Sequence, residues 1–307
     1  MKLLSNQGFD LSAQYIINNA RYLEKILLDH HFIVPCGEKI VKALQMYQNK
    51  DGGYGNALEP DFRLPHSSAM ATSIALRFLK MFDEHNIAEV QIHNAIRYLE
   101  STFNKEISGW EAVPKMVNIY PHAPWWHRVE DVDYISGNPS AELVGYLYAY
   151  KSFVTSLDVD ELIEFYVSRF ESMKQFEEHE VYCYIRLYEI LPKEYKTRMF
   201  PNLRVAYDEL VSLDRESWKK YVPYPLKFIG VTEESIFVIS DEDLEENLNY
   251  LIDELQNIGM IQPTWSWTEY EAEWEVAKRE WTGILTIDAL LILKRFNRLE
   301  KTTLQKK

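Results

Sequence analysis

The sequence predicts an all-α protein, a single α/α toroid of about 10–12 helices that alternate between an outer and an inner row. Three observations carry this. Glycine and proline are scarce, 11 and 12 in 307 residues, and the stretches between them show helical periodicity with almost no strand-type alternation. Amphipathic segments alternate with segments apolar on every face, and a helix of the second kind has to be buried all round. Long loops lead from each amphipathic segment into the apolar one that follows, so that consecutive hairpins can close into a ring whose inner members are covered on both flanks.

Taken in order, a first helix is expected over residues 12–30, with Ile16, Leu23 and Leu27 on its inner face and Asn18, Arg21 and Lys25 toward water. A second, 36–48, turns Ile40, Val41 and Leu44 inward. The glycine-rich loop 48–65, QNKDGGYGNALEPDFRLP, then opens onto 67–82, where Ala69, Met70, Ala71, Ile74, Leu76 and Phe78 leave almost no polar face. The segment 88–103 is amphipathic again. A second loop, 104–138, feeds the apolar helix 139–153, with Asn138 as N-cap and Pro139 at the first helical position. Three helical patterns fill 159–213, broken near Glu178 and at Pro192, with no clear division into inner and outer. After a loop holding Trp218, Ser240 and Asp243 form a capping pattern for an amphipathic helix over 241–256 whose acidic first turn suits the helix dipole. A fourth loop, 257–281, precedes the last apolar helix, 283–296. One toroid domain over 1–298 and a polar tail over 299–307 follow from this reading.

Bulk properties narrow the partners. A net charge of −14 repels polyanions, so nucleic acid and acidic membrane surfaces are not expected to bind. No run of about 18 apolar residues is present to span a membrane, and the start has no signal-type apolar region, so a cytoplasmic location is expected. Cys36 and Cys183 lie in helical patterns without metal-ligand spacing and are expected to be buried free thiols. The sequence holds no P-loop, Rossmann fingerprint, Gly-x-Ser-x-Gly elbow or EF-hand string, and neither a cofactor nor a metal is expected.

The string LQMYQNKDGGYGNALEPDFRLPHSSAMATSIALRFL resembles a repeat of the terpenoid cyclase and protein prenyltransferase superfamily, in which a helix ends in Gln, a turn carries Asp-Gly-Gly and an aromatic residue, and an inner helix follows. LQNIGMIQP with WTGILTIDALLIL resembles a degenerate copy. The resemblance implies a toroid of helical hairpins. Two of the superfamily's functional signatures are missing: neither cysteine has partners for a prenyltransferase zinc, and Glu130-Asp131-Val132-Asp133 is out of register with the cyclase Asp-x-Asp-Asp acid.

All eight tryptophans fall in the predicted loops that enter apolar helices or at their edges, and ring geometry would bring these loops to one end. Carboxylates share the same loops. Glu59 and Asp61 in the first, with Asp131 and Asp133 in the second, are the candidate catalytic groups, since facing carboxylates divide into acid and base when burial separates their pKa values. Tyr54, Asn56, His66, Trp125, Trp126, His127, Trp265, Trp267 and Trp281 are the candidate substrate-binding residues, tryptophan offering a broad stacking face and one N–H donor. Asp51, in Asp-Gly-Gly, reads as a turn-former. His122 and His127 are five apart, not the helical spacing of a zinc pair, and are expected to hydrogen-bond a ligand or backbone. The first expectation for function is an enzyme that acts on a carbohydrate by carboxylate acid–base chemistry. The alternatives are an isoprenoid cyclase or transferase-like enzyme, and a non-catalytic module that binds a small molecule, glycan or peptide.

Overall fold

A computed structural model describes residues 1–83, 86–129, 136–229 and 239–300. Among these residues there are eleven α-helices, several short 3-10 turns and isolated β-bridges in place of strands. None of these helices is long and apolar enough to cross a membrane. Packing divides the chain into two compact units, Met1–Ala43 with Ser212–Leu226 and Ile239–Lys307, and Leu44–Val211 with Lys227–Val238.

In the first unit, the single helix expected over 12–30 is two: α1 (Asn6–Asn19) and α2 (Tyr22–Phe32). Ser5 caps α1, its side chain accepting from the Gly8 N–H at 3.1 Å. Between the helices Ala20 and Arg21 are extended, with ψ of 167° and 164°. No proline or glycine marks this break; a tertiary contact does. Gly283 lies so close that a Cβ there would sit 2.6 Å from the Ala20 Cβ, and Arg21 is drawn back onto Glu24 by a bidentate pair at 3.0 and 2.7 Å. Helix α3 (Gly37–Leu44) follows, shorter than expected because its last turn tightens into a 3-10 turn at Gln45–Tyr47.

The other helices of this unit are α10 (Asp241–Ile258) and α11 (Glu271–Arg295). Helix α1 packs on α2, α10 and α11, and α11 on α2 and α10. The capping prediction for α10 holds: the Ser240 hydroxyl accepts from the Asp243 N–H at 3.0 Å, and Gly259 closes the helix in the left-handed conformation at φ 71°. The fourth loop ends earlier than expected, because α11 is one helix of 25 residues rather than a loop followed by a short helix. Trp274 and Ala277 form a buried helical face in its first turns, which the tryptophan-rich composition disguised as loop. The expected polar tail is anchored at its start: the Leu4 N–H donates to the Arg298 carbonyl at 2.7 Å and the Glu300 N–H to the Leu4 carbonyl at 3.0 Å. Residues 301–307 lie outside the described ones.

The second unit holds α4 (Ala69–Lys80), α5 (Glu89–Thr102), α6 (Ser140–Ala149), α7 (Val159–Ser172), α8 (Glu178–Ile190) and α9 (Lys193–Leu210). Helix α6 packs on α4, α7 and α8; α5 packs on α4, and α9 on α7 and α8. One row thus runs α4, α6, α8, with α5, α7 and α9 each beside the preceding member of that row. Over 159–213, α8 thus follows α6 in that row, and α7 and α9 pack on each other beside it. The all-round apolar character of α4 and α6 is explained by their place in the covered row, and eight consecutive residues of α6, Ser140 to Leu147, are buried. Asn138 does not cap α6; the first helical bond runs from the Ala141 N–H to the Gly137 carbonyl at 2.8 Å.

The core of this row contains an ion cluster. Glu142 of α6 is fully buried, and Arg77 of α4 donates to both its oxygens at 2.6 and 2.8 Å. Arg186 of α8 and Tyr146 add bonds at 3.3 and 2.8 Å. Burial alone would raise this carboxyl, but the Arg186 and Arg77 cations and the hydrogen bonds outweigh it and hold Glu142 below its ordinary range. Cys183 adjoins the cluster, its thiol pushed up to about 12 by burial and by Glu142. Of the two thiols expected to be buried, Cys183 is, whereas Cys36 is only half-buried.

Candidate functional site

The first loop is zipped onto itself before it meets anything else. The Asn49 N–H bonds the Gly53 carbonyl at 2.8 Å, the Gly55 N–H the Tyr47 carbonyl at 3.0 Å and the Ser68 N–H the Tyr54 carbonyl at 2.9 Å. Asp51 is the turn-former that its motif predicts: its Oδ1 accepts from the Gly53 N–H at 3.0 Å and from the Ser67 hydroxyl at 2.7 Å. Gly52 is required here, since φ is +92° and a Cβ would stand 2.4 Å from the Asn94 carbonyl oxygen. Tyr54 is fully buried, its hydroxyl spent on Gln91 at 2.8 Å. It belongs to the core rather than to a binding surface, because the loop folds inward around it.

The far half of this loop is locked to the second loop. Phe62 and His122 form an antiparallel bridge, flanked by the Arg63 N–H to the Pro121 carbonyl at 2.8 Å and the Ala123 N–H to the Asp61 carbonyl at 2.7 Å. The Phe62 ring meets Trp126 edge-on at 5.5 Å. The backbone of Asp61 is thereby brought beside the second loop, and Glu59 and Asp61 are both buried, 6% and 4% exposed. Glu59 turns back on its own loop, accepting from the Asp61 N–H at 3.2 Å. Of the candidate binding residues described in these two loops, Asn56, His66, Trp125 and His127 are exposed. Asn56 sits at φ 53° with its amide near the Tyr47 carbonyl at 3.4 Å, and His66 lies 3.5 Å from the Tyr120 hydroxyl. Asp131 and Asp133 lie outside the described residues.

His122 and His127 bond to the backbone and to each other. His122 Nδ1 is 2.6 Å from the Tyr120 carbonyl and its Nε2 is 3.0 Å from His127 Nδ1, the rings stacked 18° apart in plane. Among the described residues no three His, Cys, Asp or Glu side chains come together as a metal set. Next in the chain, Arg128 is clamped by Asn118, which accepts from its N–H and donates to its carbonyl, both at 2.8 Å, and its guanidinium pairs with Glu111 at 2.9 Å.

Glu111 stands at a solvent-open cleft of about 290 Å³ whose other lining groups include Ser68, Tyr98, Thr102, Asn104 and Trp110. Sequence reasoning missed Glu111; its place directly after Trp110 and ahead of a proline-rich stretch was the available signal. A larger groove of about 500 Å³ beside Arg97 and His93 is less informative, because its Glu100 is consumed by the N–H groups and hydroxyls of Thr155 and Ser156.

The tryptophans divide between the units. Trp110, Trp218, Trp267 and Trp274 are buried, and the first two spend their N–H on the Leu99 and Ser212 carbonyls, each at 2.8 Å. Trp267, expected to bind substrate, instead packs on Trp274 at 5.8 Å inside the first unit. Trp274 and Trp281 lie within α11, not in a loop. Trp265 and Trp281 meet edge-on at 5.2 Å, with Tyr221 against Trp265 at 5.5 Å, and among the described residues neither buried indole N–H has a hydrogen-bond partner.

Comparison with protein-family models, with curated proteins and with solved structures returns no match in any of the three.

Proposed function

We propose that the rim built by the first and second loops of the second unit is the site of an enzyme acting on a carbohydrate by acid–base chemistry. The cleft at Glu111 carries this reading. Its size, about 290 Å³, suits one sugar ring, and its lining mixes hydroxyl, amide and carboxylate groups with the apolar Ala69 and Pro114. A sugar needs polar partners around its edge and an apolar face to lie on. On the second loop, outside the cleft lining, the half-exposed indole of Trp125 offers a stacking surface. Glu59 and Asp61, both buried, form the acidic backing of the rim. A closed, dry, aromatic chamber would favour an isoprenoid instead, and the cleft is open and polar.

The two-row packing of α4, α6 and α8 with α5, α7 and α9 agrees with an arc of an α/α toroid. The Asp-Gly-Gly-Tyr turn ahead of α4 supports kinship with the terpenoid cyclase and prenyltransferase superfamily. The test is a thermal-shift screen of mono- and oligosaccharides beside polyprenyl diphosphates. A ligand at 100 times its Kd adds about 2.7 kcal/mol to stability, and each kcal/mol raises Tm by roughly 2–4 °C in a domain of 150–250 residues. Stabilisation by sugars alone supports the reading. Stabilisation by polyprenyl diphosphates alone would overturn it in favour of the isoprenoid alternative, and no response to any sugar would also sink it.

A further inference from the structure

The two rim histidines do more than pack. A carbonyl oxygen can only accept, so the 2.6 Å contact between His122 Nδ1 and the Tyr120 carbonyl places a proton on Nδ1. In neutral His122 the Nε2 then carries the lone pair. Its partner at 3.0 Å, His127 Nδ1, must be the donor in that bond. Neutral His127 is thereby left with its own lone pair on Nε2. His127 is exposed, and its Nε2 makes no hydrogen bond among the described residues. Free imidazole side chains distribute the proton over both nitrogens; here the backbone at Tyr120 selects one arrangement through two successive bonds.

We propose that His127 is the general base of this rim, with His122 as the positioning residue that fixes its tautomer, a reading that rests on the rim being an acid–base site. The step it performs is simple. The Nε2 lone pair forms an N–H bond to a proton of a substrate hydroxyl, the electrons of the broken O–H bond stay on oxygen, and His127 becomes an imidazolium. The new cation keeps its Nδ1–H bond to the His122 lone pair, so no group has to turn as the charge develops. The buried carboxylates Glu59 and Asp61, one bridge away in the chain pairing, need not touch substrate for this step. For a sugar substrate, the proton acceptor and the stacking indole then come from neighbouring positions, Trp125 and His127, of one short segment.

The full chain, uniformly labelled with nitrogen-15, tests the assignment directly. Imidazole nitrogen shifts at neutral or mildly alkaline pH should show His127 with a protonated Nδ1 and an unprotonated Nε2, identified by the loss of those signals in H127Q. A proton on Nε2 in the wild type, or an even mixture, overturns the proposal. The same assignment should persist in His122→Gln, whose amide can donate to the Tyr120 carbonyl and accept from His127, and give way to a mixture of tautomers in His122→Phe. An unchanged single tautomer in His122→Phe would overturn the positioning role of His122, and the wild-type spectrum needs no variant to fold. A correct tautomer with no response to sugars would instead refute the carbohydrate reading and leave the base in place.

Discussion

Replacing Glu142 by Gln should be the most informative single change in the second unit. The substitution keeps the shape and removes the charge that faces two guanidinium groups. Glu142 has no exposed surface, whereas the Arg77 and Arg186 side chains keep 33% and 27% of theirs. Removing one partner of a fully buried pair costs about 3–5 kcal/mol, and the partial hydration of both arginines points to the lower end, about 3 kcal/mol. At roughly 2–4 °C per kcal/mol, Tm should fall by about 6–12 °C. The pH dependence adds a second signature. The folded carboxyl titrates below its unfolded value of about 4.3, so its contribution is complete above that pH and is lost as pH falls through the folded value. Differential scanning calorimetry from pH 7 downward should therefore show the wild-type and E142Q curves converging on acidification. A neutral-pH Tm within about 1 °C of wild type, or a gap that stays constant into acid, would refute the argument that this cluster is held by its charge.

Gly52→Ala should lower stability by more than the ~1 kcal/mol of a simple glycine effect, because the added Cβ meets the Asn94 carbonyl at 2.4 Å in a left-handed backbone; urea unfolding measures it, and a neutral result would contradict the loop geometry. Asp51→Ala removes two hydrogen bonds and should cost about 1–2 kcal/mol by the same assay, while Asp51→Asn, which keeps an acceptor, should cost less. Trp125→Ala should leave Tm within experimental error, its side chain being half-exposed, but abolish sugar-induced stabilisation; an unchanged sugar response removes Trp125 from the site. Native protein should titrate at most one thiol with a disulfide reagent, Cys36, with Cys183 released only by denaturant, since burial and Glu142 hold its thiol up at about 12.

Much of the helical framework was legible because periodicity and caps act locally. The breaks near Glu178 and at Pro192 separate α7, α8 and α9, and Ser240 caps α10 with its own hydroxyl. Where the reading failed, the cause was a contact distant in the chain. The α1–α2 break depends on Gly283 admitting Ala20, and the early start of α11 on the burial of Trp274 and Ala277. The site divides in the same way. Clustering of Trp125, Trp126, His122 and His127 in one short segment is written in the sequence, and so is the role of Asp51 in its turn.

What the sequence alone determined is the all-α composition, the all-round apolar character of α4 and α6, and the chemical richness of the two rim loops, since each rests on residues near one another along the chain. Only the tertiary structure decided that Tyr54 and Trp267 are core, that Glu59 and Asp61 are buried, and that Glu111 rather than either of them stands at a cleft. Burial and hydrogen-bond partnership depend on which distant segments meet, and a carboxylate's chemistry follows from its surroundings more than from its neighbours in sequence.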